Sequence, residues 1–100
     1  MALHIEVELS PVFQTICSAT HLSIPLKEGE TTGKSLLRYL SSAYGERMEA
    51  LLFEKGKDEV ISGLMVMVND RIFTGNALNQ KDISLQDGDK VNLLYFVSGG

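Results

Sequence analysis

The first segment of the chain alternates between apolar and polar side chains. The odd positions from Leu3 to Leu9 are all apolar, and the even positions carry His4, Glu6 and Glu8. A period of two places the apolar side chains on one face of a pleated strand and the polar side chains on the other. The pattern predicts a half-buried β-strand over residues 3 to 9 with one polar face.

A second alternating segment follows at residues 20 to 26, where Leu22, Ile24 and Leu26 share one parity. Pro25 lies inside this segment and has no backbone N–H to give to a neighbouring strand. We therefore expect a second strand at an edge of the sheet, ended by a turn at residues 27 to 30.

The spacing of apolar residues changes to a helical one after residue 32. One helical face would collect the apolar side chains Leu36, Leu37, Leu40, Ala43 and Tyr44. Thr31 or Thr32 can cap the N-terminus of this helix, and Gly45 suits the residue that ends it. Met48, Leu51 and Leu52 then predict a shorter second helix, and residues 54 to 59 predict a solvated loop.

Two further apolar runs, "GLMVMV" and "RIFTG", are separated only by Asn69 and Asp70. A two-residue connection of this type favours a tight hairpin turn, with a short second strand. In the connecting segment that follows, we expect Leu78, Ile83 and Leu85 to be core anchors. A turn at residues 87 to 89, "DGD", then leads to a last strand from residue 91 to about residue 97.

The predicted order is strand, strand, helix, strand, short strand, strand, without an internal repeat. A helix that covers one face of a sheet is typical of an α+β layer fold. We expect the β-grasp arrangement, a mixed sheet of four to five strands with one main helix across one face, as a single domain over residues 1 to 100. The strand order within the sheet stays open at this point.

The composition excludes several classes of partner. Asp and Glu outnumber Lys and Arg by 13 to 9, and the formal net charge is −4. Because nucleic-acid binding needs clustered cations, and the cations here are scattered, we expect no nucleic-acid partner. The acidic balance fits a basic surface on a partner protein, or solubility alone. There is no apolar run of the ~20 residues that a membrane span needs, and no signal-peptide pattern, so we expect a cytoplasmic protein without a membrane partner.

The sequence shows few candidate catalytic or ligand-binding residues. The "GKS" at residues 33 to 35 lacks the earlier glycine of a phosphate-binding loop, so Lys34 is interpreted as a helix-surface cation. His4 and His21 are too isolated to predict a metal site, and Cys17 is interpreted as a structural residue. We expect no bound metal or cofactor and no independent catalytic site.

The last strand has apolar residues on both of its faces. If residues 91, 93, 95 and 97 face the core, Leu94 and Phe96 point to the uncovered face. Met65 and Met67 raise the same question in the strand that begins at Leu64. Two interpretations are open: strands buried on both faces, or an exposed patch that docks a partner.

The chain ends in Ser98, Gly99 and Gly100, which add about 10 Å of reach at ~3.3 Å per residue. Glycines can pass through a channel too narrow for other residues. The α-carboxylate at the tip has a pKa of about 3.5 and is a poor electrophile. To react, it would have to be activated as an acyl-adenylate by another protein that uses ATP.

The segment "DGDKVNLLYFVSGG", together with "VELSPVF" and "GLMVMVND", resembles the ubiquitin-like sulfur carriers. The likeness is greatest to the small subunit of molybdopterin synthase, and the thiamine-pathway carrier is a near relative. The resemblance implies a β-grasp fold, adenylation of the C-terminal glycine by an E1-like enzyme, and conversion to a thiocarboxylate. In the molybdopterin pathway the tail would then insert into the large synthase subunit and donate sulfur to a pterin precursor.

Carried over to this sequence, the resemblance implies that Gly100 bears the carboxylate or thiocarboxylate and that Gly99 forms the narrow approach. The expected partner contacts are Leu94, Phe96, Ser98, Met65 and Met67. Three alternatives remain open: a carrier for thiamine or another sulfur-transfer pathway, a protein modifier that forms isopeptide bonds, and an interaction domain with an inert tail.

Overall fold

The computed structural model describes residues 3 to 95, and for Tyr95 the backbone alone. Five strands and four helices follow one another as β1 Leu3–Leu9, α1 Pro11–Cys17, β2 His21–Leu26, α2 Gly33–Tyr44, α3 Glu46–Leu52, β3 Leu64–Val68, β4 Arg71–Thr74, α4 Gly75–Gln80 and β5 Lys90–Tyr95.

The strands form one mixed sheet in the order β2-β1-β5-β3-β4. The pair β1 and β5 is parallel, with Glu6 opposite Lys90, and the other three pairs are antiparallel. The first and last strands of the chain therefore lie side by side in the middle of the sheet. This topology with α2 across one face is the predicted β-grasp arrangement.

The alternation in β1 and β2 predicts burial correctly. Ile5 and Val7 are fully buried, while His4 is exposed on the other face. Strand β2 is at the sheet edge, as predicted from Pro25, which lies opposite His4. At this position the missing N–H of Pro25 costs no ladder hydrogen bond to a further strand.

Helix α2 has the predicted ends. The side chain of Thr32 accepts a hydrogen bond from the backbone N–H of Ser35 at 3.1 Å, and Gly45 ends the helix at a φ of +85°. This φ is in the left-handed region, which glycine enters without a steric penalty. The predicted helical face needs one correction, because Ala43 is exposed. The spacing rule placed it at the margin of the face, where the core no longer reaches.

The remaining apolar anchors pack as a single core. Met48 and Leu52 of α3 are fully buried, and Leu78 and Leu85 are buried in the segment that connects β4 to β5. Ile83 packs against this core but stays half-buried. Residues 54 to 59 are all exposed, as expected for a solvated loop.

Two short helices were not predicted. The sequence pattern gives no helix at residues 11 to 17 or 75 to 80, where the structure has α1 and α4. Helix α1 buries only Phe13 completely, and α4 begins after Thr74, whose hydroxyl accepts a hydrogen bond from the N–H of Ala77 at 3.1 Å. Helices α1 and α4 each bury only one side chain completely, so neither shows the repeated apolar spacing that predicts α3, which is similarly short.

Within residues 3 to 95, no helix combines the length and the apolar character that a membrane crossing requires.

Candidate functional site

The helices leave one face of the sheet open. The core side carries the buried members of β3, Leu64, Val66 and Val68, and the corresponding residues of β1 and β5. On the opposite face, Met65 lies across from Leu94, and none of the described strand residues is buried. We call this surface the open face.

Four apolar side chains are neighbours on the open face and form what we call the apolar strip: Met65, Met67, Ile72 and Leu94. Both methionines and Leu94 are half-buried, and Ile72 is 54% exposed. Asn92 lies beside them, and its amide nitrogen is 3.9 Å from the sulfur of Met67. Adjacent apolar side chains that remain in contact with solvent are a feature of docking surfaces.

These observations decide between the two interpretations of β3 and β5. Both strands are buried on the core side and half-buried on the other side, so the interpretation that they are buried on both faces is wrong. The strip contains the predicted residues Met65, Met67 and Leu94. Their contact with a partner stays a prediction.

Ile72 is the residue of the strip that sequence reasoning missed. The signal was present, because a two-residue turn at Asn69 and Asp70 fixes the pairing of the strands on either side. Val68 must then lie opposite Arg71, and Met67 opposite Ile72, as the structure shows.

The other half of the open face is polar. The Glu6 carboxylate accepts hydrogen bonds from the hydroxyl of Ser23 at 2.8 Å and from Nε2 of His21 at 2.5 Å. The hydrogen bond from Ser23, and then that from His21, holds the pKa of Glu6 below its ordinary value. Glu6 is thus a structural carboxylate that connects β1 to β2.

The lowered pKa of Glu6 predicts a pH dependence of stability. Its stabilising contribution is complete above the ordinary carboxyl pKa of 4.5 and is lost as the pH falls through the lower folded-state pKa. We expect the Glu6→Gln variant to lose less stability than the wild type between pH 7 and pH 3, measured as the urea midpoint. The matched control is Glu8→Gln, because the Glu8 side chain has no hydrogen-bond partner within residues 3 to 95. An equal acid response of Glu6→Gln and the wild type would contradict this assignment.

The predicted residues Phe96, Ser98, Gly99 and Gly100 lie outside the described residues, as do Val97 and the side chain of Tyr95. Strand β5 is described up to Tyr95, next to the Leu94 end of the apolar strip. The roles of Gly99 and Gly100 therefore remain predictions from the sequence.

The candidates for other chemistry are engaged in structural contacts. In residues 3 to 95 no three His, Cys, Asp or Glu side chains come together as a metal site. Burial raises the pKa of the Cys17 thiol, and a hydrogen bond with Tyr44 opposes that shift only partly. A raised pKa keeps the thiol protonated and weakly nucleophilic near neutral pH.

Lys34 and the acidic turn at residues 87 to 89 have the structural roles that the sequence predicts. The ammonium of Lys34 donates to the carbonyl oxygen of Asp58 at 3.4 Å, on the surface of α2. Asp87 accepts a hydrogen bond from the N–H of His4 at 2.8 Å, and Asp89 accepts one from the N–H of Gln86 at 2.9 Å. Both carboxylates hold the turn rather than form an acid/base pair.

The sequence also matches a protein-family model. The family model described as the ThiS family matches residues 12 to 100, which includes four of the five strands and the glycine tail. The chain belongs to the ThiS family. The curated proteins compared with it include no match.

Solved structures are similar over nearly the whole length of this ThiS-family chain. The HVO 2177 protein of Haloferax volcanii is 23% identical, with a TM-score of 0.77, and the alignment covers 99% of this chain and 88% of that one. The small archaeal modifier protein 1 of Methanosarcina acetivorans is 15% identical, with a TM-score of 0.75 and coverage of 100% and 99%.

A third structure, from Pyrococcus furiosus, is described as molybdopterin converting factor, subunit 1. It is 21% identical, with a TM-score of 0.69 and coverage of 95% and 99%. At these identities the likeness shows the fold, and it confirms the β-grasp prediction. Together with the family match, it confirms the resemblance to the ubiquitin-like sulfur carriers.

Proposed function

We propose that the protein is a cytoplasmic sulfur carrier whose C-terminal Gly100 becomes a thiocarboxylate. The observation that carries this proposal is that Leu94 of the apolar strip lies near the end of β5, four residues before Ser98, Gly99 and Gly100 begin in the sequence. A partner that covers the open face would therefore be placed to receive the tail. Membership of the ThiS family supports the same chemistry.

The proposed chemistry has two steps. The Gly100 carboxylate oxygen attacks the α-phosphorus of ATP on an E1-like adenylating enzyme, and pyrophosphate leaves. Hydrosulfide then attacks the acyl carbon of the adenylate, AMP leaves with its oxygen, and loss of the remaining S–H proton gives the thiocarboxylate. The adenylate is needed because a carboxylate with a pKa of about 3.5 is ionised and unreactive at neutral pH.

This protein would contribute recognition rather than catalysis. Met67 and Ile72 present apolar surface that a partner can desolvate, and Leu94 continues this surface toward the tail. Apolar residues at the centre of an interface supply much of its free energy, and polar residues around them add specificity. On the open face that polar surround includes Glu6 and His21.

The test is intact mass spectrometry of the full chain after incubation with its E1-like enzyme, ATP and a sulfur donor. We expect one oxygen to be replaced by sulfur, with the change located at Gly100 by fragmentation. A chain that ends at Ser98 is the matched control and should remain unmodified. An unchanged full chain with every cognate adenylating enzyme would refute the proposal.

For the acceptor of the sulfur we propose the large subunit of molybdopterin synthase, and the support is the fold shared with the Pyrococcus furiosus protein. The alternative is the thiamine pathway, which the family description favours. Purified thiocarboxylate incubated separately with each acceptor enzyme distinguishes them. Sulfur should appear in the pterin product if the first proposal is correct, and in the thiazole product if the alternative is correct.

A modifier function is the second candidate, and the fold shared with the small archaeal modifier protein 1 favours it. In this case an amine of a target lysine would displace AMP from the same adenylate. Isopeptide-linked conjugates in cell extract, absent when Gly100 is deleted, would establish this function.

A further inference from the structure

A second surface lies on the other side of the sheet. A cleft of about 540 Å³ separates the β3–β4 hairpin from the segment that precedes β5. Val68, Phe73 and Ile83 give it apolar walls, and Arg71 and Lys81 are its cations. The pairing of Arg71 with buried Val68 places this cleft on the helix side, away from the open face.

The two carboxylates that line the cleft, Asp82 and Asp89, accept hydrogen bonds from backbone N–H groups. Oδ1 of Asp82 accepts hydrogen bonds from the N–H of Ile83 at 2.8 Å and from the N–H of Lys34 at 3.1 Å. Oδ2 of Asp89 accepts one from the N–H of Gln86 at 2.9 Å. Neither carboxylate is within 4.0 Å of a cationic nitrogen among the described residues.

The cations of the cleft have no such partners. Within residues 3 to 95, the side chains of Arg71 and Lys81 make neither an ion pair nor a hydrogen bond. Both residues are exposed. The formal charges of the cleft sum to zero, because Asp82 and Asp89 also line it, but its two cations are exposed whereas its two carboxylates are half-buried against backbone N–H groups.

The cleft borders a free edge of the sheet. Strand β4 is the last strand in the sheet order, and no described strand pairs with its outer side. Alternate backbone N–H and C=O groups of an edge strand point outward and can pair with another extended chain. Arg71 alone could serve only to discourage aggregation, as cations on edge strands do. Lys81 lies outside β4 and lines the same cleft, so that explanation does not account for both cations.

We propose that an extended acidic segment of a partner protein binds here as an additional strand along β4. Its backbone would pair with the outer edge of β4, its carboxylates would contact Arg71 and Lys81, and an apolar side chain would lie against Phe73 and Ile83. The free edge favours an extended peptide over a small anion, because only a peptide matches the repeated backbone donors and acceptors. This interaction is independent of the open face and of the tail.

The test is a titration of the ¹⁵N-labelled full chain, followed by amide chemical shifts. The probe is a ten-residue peptide of alternating valine and threonine with two glutamates at each end. We expect shifts confined to residues 71 to 74 and 81 to 89. The double variant Arg71→Glu, Lys81→Glu should weaken binding by about tenfold or more, since two ion pairs become two repulsions.

Four controls make the result decisive. The variant Lys27→Glu, Lys55→Glu has the same net charge and changes exposed residues elsewhere, so it should bind as the wild type does. A peptide with proline at its centre should bind weakly, because it lacks one N–H for the β4 edge. Equal binding of a lysine-flanked peptide, equal losses in the two charge variants, or shifts of the same amides by inorganic pyrophosphate without any by the peptide would overturn the proposal.

Discussion

Replacement of Gly75 by alanine is expected to lower the free energy of unfolding by about 3 kcal/mol, the upper range for an overpacked site. A Cβ at this position would lie 1.8 Å from the carbonyl oxygen of Ile61 and 3.0 Å from a methyl carbon of Val60. The nearest obstacle is backbone, which cannot rotate away as a side chain can. The measurement is urea denaturation followed by circular dichroism.

The contact cannot relax easily because α4 is fixed to the segment before β3. The side chain of Asn79 accepts a hydrogen bond from the N–H of Val60 and donates one to its carbonyl oxygen, both at 2.8 Å. The matched control is Gly63→Ala, since a Cβ at Gly63 meets nothing within 4 Å. This variant should be neutral or more stable by a few tenths of a kcal/mol. Similar losses in the two variants would show that the close approach at Gly75 is not the cause.

Glutamate in place of Met67 is expected to slow thiocarboxylate formation by about thirtyfold at limiting adenylating enzyme. Met67 lies at the centre of the apolar strip, between Asn92 and Ile72. A charge there would be desolvated against the partner without compensation, at a cost of about 2 kcal/mol in docking. The readout is the rate of sulfur incorporation, measured by mass spectrometry over time.

The control for Met67→Glu is Tyr39→Glu, which places the same charge on the exposed surface of α2. It should react at the wild-type rate. Both variants should unfold within about 1 kcal/mol of the wild type, as is usual for surface substitutions. Equal rates for Met67→Glu and the wild type would show that the strip is not the docking surface for the adenylating enzyme.

The sequence predicts those parts of the fold whose pattern repeats several times. Four or more alternations identify β1, and two turns of helical spacing with Thr32 and Gly45 at the ends identify α2. Helices α1 and α4 could not be predicted in the same way, because each buries only one side chain completely and so shows no repeated apolar spacing. Their existence depends on tertiary contacts with β1, α3 and the β3–β4 hairpin.

The candidate site could likewise be predicted from the sequence only in part. Met65, Met67 and Leu94 could be placed on the open face only once the sheet order was known, because an apolar run has no parity of its own. The cleft beside β4 had no sequence signal at all. Arg71 and Lys81 are separated in the sequence by α4, and only the fold brings them to one surface.

The parallel pairing of β1 and β5 also constrains how the protein folds. The central ladder joins Glu6 to Lys90, so its formation closes a loop of nearly the whole chain. Because closing a loop of this length is entropically costly, we expect this parallel pairing to form after the antiparallel pairs β1–β2 and β3–β4. On a ribosome, the growing chain would hold two separate hairpins until β5 emerged and joined them. Strand β5 is the last described strand in chain order and the one that joins the two halves of the sheet, so the open face is complete only once β5 has paired with both β1 and β3.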